Sequence, residues 1–167
     1  MGVRKKDKGS LNQGKAVKLN LRRSFSASLE SVFDAWLIPY LAGSWMFGPK
    51  SDNQEIVTLE NTPRADGHFL LVIKRDGEEL TITGQYEEIR RPEKLVCSWG
   101  ADQASAALNR LTLKLESVEG KTRLRLTHEL DPSLSEGIDS LRNEWNIRCK
   151  ALAELVETSP RQARLFK

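Results

Sequence analysis

The sequence predicts an α+β fold in which one long helix lies on a mostly antiparallel sheet. Three observations carry that prediction. Segments alternating apolar and polar residues recur from residue 17 to residue 129. Two of the intervals between them hold Asp76-Gly77 and Glu119-Gly120, the kind of two-residue turn that tight hairpins use. Then a single apolar stripe at helical steps runs through Leu134, Ile138, Leu141, Trp145, Cys149, Leu152 and Val156. A helix with one apolar stripe must bury it, and a sheet with one apolar face offers the surface to bury it on.

The elements follow in order. From Ala16, the residues Val17, Leu19 and Leu21 alternate with Lys18, Asn20 and Arg22, which makes a half-buried strand. Ser26 or Ser28 supplies an N-cap, after which Leu29, Val32, Phe33 and Trp36 recur at helical spacing. Pro39 suits the first turn of a second short helix carrying Leu41 and Trp45, ended by Gly48-Pro49. Strands are expected at Ile56–Leu59, Phe69–Lys74, Glu79–Glu87, Leu95–Trp99, Arg110–Glu116 and Thr122–Glu129. Gly84 is expected to bend or bulge its strand. Residues 100–109 are small and polar and are expected to form a loop with some mobility. Asp131-Pro132-Ser133 opens the long helix, which is expected from about residue 134 to residue 157.

A chain of 167 residues suggests one domain. The mix of 39% apolar and 29% charged residues is that of a globular protein, and no apolar run reaches the ~20 residues of a membrane span. The net charge of +3 sits at the ends. Residues 1–15 read as a flexible basic leader and 158–167 as a basic tail, leaving the domain 16–157 at −4. An acidic body excludes nucleic acid as the expected partner. Cys97 and Cys149 are too few for a disulfide framework and are expected as buried thiols, though a bridge stays open if they meet. With no signal-like apolar stretch after Met1-Gly2-Val3-Arg4-Lys5-Lys6, a cytoplasmic location is expected.

One stretch, PYLAGSWMFGP from Pro39 to Pro49, concentrates Tyr40, Leu41, Trp45, Met46 and Phe47. It either plugs the end of a core or lines a hole that a ligand fills. Strand alternation puts Leu124, Leu126 and His128 on the inner face, and groups Leu95 with Cys97 and Trp99 and Ile82 with Tyr86. His128 is either a hydrogen-bonded core residue or one that holds a ligand or moves a proton. His68 is expected at the surface. Cys97, His128 and Cys149 include no pair at metal-ligand spacing, so no metal is expected. Neighbours in a strand point to opposite faces, so neither Glu78-Glu79 nor Glu87-Glu88 is a catalytic pair. No phosphate-binding glycine loop, zinc-protease motif or nucleophile elbow is present, and no cofactor is expected.

The segments FSASLESVFDAWLIPYLAGSWMFGP, GQYEEIRRPEKLVCSW, TRLRLTHEL and NEWNIRCKALAEL together resemble the START-like (SRPBCC) superfamily. Within it, the chain is most similar to homologues of the heat-shock-protein-90 ATPase activator C-terminal domain, over about residues 17–157. One departure is Arg64-Ala65-Asp66-Gly67, where many relatives carry a Gly-Gly pair. The resemblance implies a helix-grip: a curved antiparallel sheet wrapped around the long C-terminal helix, with the two short helices closing one end. It also implies an apolar cavity between sheet and helix, with PYLAGSWMFGP as its flap and entrance. The candidate lining residues are Trp36, Trp45, Phe47, Tyr86, Trp99, Leu126, His128, Leu141, Trp145 and Cys149. The expected function is non-enzymatic binding of a small hydrophobic or amphipathic molecule, lipid included. The alternatives are an interaction module with a chaperone partner and, third, a cavity enzyme using His128 as acid or base. Eukaryotic activators carry a separate N-terminal domain for which this chain has no room, so co-chaperone activity does not come with the resemblance.

Overall fold

The computed structural model describes residues 17–49 and 51–157; the expected leader 1–15 and tail 158–167 lie outside them. Seven strands make one antiparallel sheet: β1 (Val17–Phe25), β2 (Gln54–Asn61), β3 (His68–Arg75), β4 (Glu78–Arg90), β5 (Lys94–Cys97), β6 (Asn109–Val118) and β7 (Lys121–Leu130). Their order across the sheet is β1-β7-β6-β5-β4-β3-β2. From β2 to β7 every spatial neighbour is a sequence neighbour, so short connections suffice. Only β1 is separated from its sequence neighbour β2, and α1 (Leu29–Leu37) and α2 (Pro39–Trp45) make that connection. Both tight hairpin turns have positive φ at both central residues: 51° and 85° at Asp76-Gly77, 52° and 80° at Glu119-Gly120. That geometry matches the right-handed twist of the strands it joins.

Alternation sets what faces inward. Leu19, Leu111, Leu113, Leu115, Leu124 and Leu126 are buried on the concave face, where α4 (Ile138–Glu157) lays Trp145, Cys149 and Leu152 against the core. Ser28 is the cap that starts α1, accepting from the Ser31 N–H at 3.1 Å, and α1 adds Val32, Phe33 and Trp36 to the same core. Pro39 takes the first turn of α2, as expected. Gly43 of α2 lies so close to Leu59 of β2 that a Cβ there would meet the Leu59 side chain at 2.9 Å. The result is the α+β helix-grip arrangement, with α1 and α2 closing one end.

Three local expectations change. The long helix starts at Ile138, because Pro132–Gly137 form a 3₁₀ turn; there Asp131 accepts from the Ser133 N–H at 2.9 Å and holds the chain off the α-helical path. Residues 100–109 contain a short helix, α3 (Gln103–Ala106), fastened by a reciprocal capping box between Asp102 and Ser105. The bulge of β4 falls between Tyr86 and Glu88 rather than at Gly84. Gly84 serves close approach instead: a Cβ there would stand 2.1 Å from the Ser98 carbonyl oxygen and 2.6 Å from the Phe69 ring.

On the outer face the register lines up cations. Arg22, Arg125, Lys114, Lys94 and Arg90 stand opposite one another on five adjacent strands. Glu116 reaches Arg125 at 3.6 Å, and Glu88 reaches Lys94 at 3.2 Å and Arg90 at 3.7 Å. Lys114 sits mid-row between Arg125 and Lys94, and like charges directly opposite one another destabilise a sheet. Lys114→Glu is therefore expected to stabilise the protein by about 1 kcal/mol, a rise of roughly 2–4 °C in Tm by thermal melting at low salt. A lower Tm would show that the row is not under repulsion.

Candidate functional site

Trp145 is the residue on which the inner layer converges. It is fully buried, with Trp99 at 5.1 Å and Trp36 stacked at 6.0 Å between ring centroids. Trp36 in turn meets Trp45 edge-on at 4.5 Å, and Phe69 joins Trp99 to Tyr86. An indole carries one N–H, and in a dry interior that donor needs an acceptor. Trp45 uses the Ala35 carbonyl at 2.8 Å. Trp145 uses a side chain: its Nε1–H donates to Nδ1 of His128 on β7 at 3.0 Å.

That bond decides the state of His128. A ring nitrogen that accepts a hydrogen bond carries no proton, so the neutral imidazole holds its hydrogen on Nε2. Nε2 is buried and has no partner among the described residues. Burial, and then the positive charge of Arg148, lower the pKa of His128 to about 4. At neutral pH the ring is therefore an uncharged, fixed-tautomer donor.

Arg148 lies one helical turn beyond Trp145. Its guanidinium carbon stands 4.8 Å from the Trp145 ring centroid and 5.7 Å from that of Trp99, a double cation–π contact. Its Nε–H donates at 2.8 Å to the carbonyl of Met46, the C-cap residue of α2. A cation suits that end of a helix, where carbonyls lack intrahelical partners. Nη2 reaches Glu144 at only 3.5 Å, while Nη1 is buried without a partner among the described residues. Burial pulls the Arg148 pKa down, with Glu144 opposing. A third orphan lies nearby. Asn109 donates through Nδ2 to the carbonyls of Ser105 at 2.7 Å and Trp99 at 3.0 Å, and its buried Oδ1 has no partner among the described residues.

His128, Arg148 and Asn109 line one open cleft of about 410 Å³ between α4 and the strands β4, β6 and β7. Ile82, Trp99, Leu130 and Leu141 give it an apolar wall, and Ser105, Ser140 and Glu144 a polar one. Three of the four buried side-chain polar atoms that lack partners among the described residues sit on residues that line this cleft; the fourth is Trp36 Nε1. The space enclosed between sheet, α1 and α2 is much smaller, about 10 Å³, lined by Trp36, Tyr86 and Trp99 among others. That is room for about one water. There Tyr86 donates its hydroxyl to Asn61 Oδ1 at 2.6 Å, and burial raises its pKa.

The expected lining residues thus separate. Trp36 and Tyr86 border the small internal space, His128 and Leu141 the cleft, and Trp99 both. Trp45, Leu126, Trp145 and Cys149 are packed in the core, and Phe47 is half-buried against it. Pro39, Ala42 and Met46 from the expected flap border the internal space and close that end of the layer. His68 is exposed, as expected. Both cysteines are free and buried, and burial pushes the Cys149 thiol up to about 11. No cluster able to hold a metal ion is found among the described residues, and no described helix is long and apolar enough to cross a membrane. Arg148 and Asn109 were not foreseen. Asn109 shares the inward parity of Leu111 and Leu113, and Arg148 flanks the apolar stripe three residues after Trp145, so both carried a signal.

Residues 26–157 match the family described as Activator of Hsp90 ATPase homolog 1-like protein. No curated protein is a match to this chain. Among solved structures, a protein from Chromobacterium violaceum is 22% identical, with a TM-score of 0.69 over 84% of this chain and 96% of its own. The AHSA1-like protein from Aeromonas hydrophila is 15% identical, with a TM-score of 0.71 over 86% and 94%. The Aha1 dimer from Colwellia psychrerythraea is 16% identical, with a TM-score of 0.65 over 86% and 98%. The chain belongs to the activator of Hsp90 ATPase homolog 1-like family and has its START/SRPBCC-type fold.

The buried His128 couples stability to acid. The folded state keeps it neutral down to about pH 4, whereas its ordinary pKa is 6.5. Between those values the unfolded chain binds more protons, so stability falls as pH drops from 6.5 toward 4, by about 3 kcal/mol in all from this group. His128→Leu is expected to cost about 1–3 kcal/mol at neutral pH, because the Trp145 N–H loses its acceptor. The same variant should lose this portion of the acid sensitivity. Urea melts of both proteins across that range check it; parallel pH profiles would contradict the assignment.

Proposed function

We propose that the protein binds a small amphipathic molecule in the cleft beside α4, without chemical turnover. The observation that carries this reading is that Asn109, His128 and Arg148, which line one open cleft with an apolar wall, each hold a buried polar atom (Oδ1, Nε2 and Nη1) without a partner among the described residues. Buried polar groups without partners cost about 1–3 kcal/mol each, more for a charged group, and a ligand that satisfies them recovers that cost. Apolar surface on Ile82, Trp99, Leu130 and Leu141 gives the ligand's other end somewhere to go.

The reading without turnover is supported by the polarity of the His128 bond. A catalytic imidazole is usually oriented by an acceptor that takes the proton of one nitrogen and stabilises the imidazolium. Here the indole donates instead, and a nearby guanidinium opposes protonation. Both favour the neutral ring, and a base of pKa about 4 has little driving force at neutral pH.

A second reading, contact with a protein partner, is supported by the family's name and by exposed Ile38 and Tyr40 next to and on α2 and Ile56 and Val57 on the edge strand β2. It is tested by adding the purified chain to an Hsp90-type chaperone and measuring ATPase rate.

The ligand reading predicts that native mass spectrometry of freshly purified protein shows a bound mass that denaturation releases. It further predicts that Leu141→Arg, which puts a cation into the apolar wall, abolishes that mass while the protein stays folded. An unchanged bound mass in Leu141→Arg would place the ligand outside the cleft and contradict the reading.

A further inference from the structure

We propose that the ligand of this cleft carries a carboxylate, held between the guanidinium of Arg148 and the Nε2–H of His128. The inference rests on the reading of the cleft as a ligand site and adds the chemical class of what it takes. It follows from counting donors and charges. Two of the three orphaned atoms are donors, and both belong to side chains packed on the same indole: His128 accepts from Trp145 Nε1, and Arg148 lies over the Trp145 ring. Neither can turn away. The ring of His128 is pinned by that bond, and the guanidinium is pinned by Met46 and by the two indole faces. Two fixed donors ask for a group with two acceptor oxygens.

Charge narrows the group further. Among the residues lining the cleft the only Arg, Lys, Asp or Glu side chains are Arg148 and Glu144. Glu144 is no adequate counter-ion: its side chain is 57% exposed and its contact, at 3.5 Å, involves Nη2 alone. The largely buried guanidinium keeps Nη1 without a partner among the described residues, and an anion placed against it forms charge-assisted hydrogen bonds. A planar carboxylate meets a planar guanidinium with matching geometry. The remaining orphan, Asn109 Oδ1, asks for a donor and suits a ligand with a hydroxyl or N–H near its carboxylate.

Octanoate, octanamide and octylamine share one tail and differ in the head group. Each is titrated into the ¹⁵N-labelled full chain, with the Trp145 indole N–H as the reporter. The expected result is that octanoate binds about tenfold or more tightly than octanamide, that octylamine is the weakest, and that the Trp145 indole signal shifts on binding. Arg148→Gln should bring octanoate down to the level of octanamide, while Glu144→Gln leaves the preference in place. Equal affinities for octanoate and octanamide, with the indole shifting, would overturn the carboxylate assignment and leave the ligand-site reading standing. Saturation without movement of the indole, or no saturation by any of the three, would overturn both. The wild-type comparison decides the matter even if Arg148→Gln does not fold.

Discussion

Trp145 meets two demands at once. As the largest side chain on the stripe of α4, it has to be buried for the helix to be gripped by the sheet. As an indole, it carries an N–H that the interior cannot leave unpaired without a penalty. His128 resolves the second demand by offering Nδ1 from β7, which lies between strands β1 and β6. The consequence reaches beyond packing. A ring that accepts at one nitrogen must donate at the other, so the bond that locks helix to sheet also sets the chemistry of the cleft on the far side of the imidazole.

The rest of the inner layer follows from filling space around that indole. Trp36, Trp45 and Trp99 with Phe69 and Tyr86 occupy the middle of the grip and leave room for little more than a water. A larger opening lies at the flank of α4, bordered by β4, β6 and β7. Arg148 stands at this border. It fastens α4 to the end of α2 through the Met46 carbonyl, lies across Trp145 and Trp99, and also lines the cleft. This is a division a lysine could not make, because its compact ammonium has neither the flat face nor the fork of donors.

The order of elements was legible almost throughout, because alternation in the strands, the stripe of α4 and the two hairpin turns are local signals that burial enforces. What local pattern misplaced was equally local: Asp131 winds residues 132–137 into a 3₁₀ turn, and Asp102 with Ser105 caps a helix inside an apparent loop. The site was legible only in part. Parity placed His128 inward, and the stripe placed Trp145 beside it. The sequence carried no measure of how much space four tryptophans leave, since that depends on ring orientations fixed only in the assembled core. Arg148 went unread for a related reason. A charged residue on a helix flank ordinarily points to solvent, and here the two indole rings and the Met46 carbonyl beside it offset its partial burial.

The tautomer of His128 links the helix–sheet bond to the cleft. A long-range ¹H–¹⁵N correlation spectrum of the imidazole at neutral pH reports which ring nitrogen carries hydrogen. The bond from Trp145 predicts a neutral ring protonated on Nε2 alone, with Nδ1 showing the shift of a bare, accepting nitrogen. A ring protonated on Nδ1, or an imidazolium, would contradict it, since neither can accept the indole hydrogen and present a fixed neutral donor to the cleft.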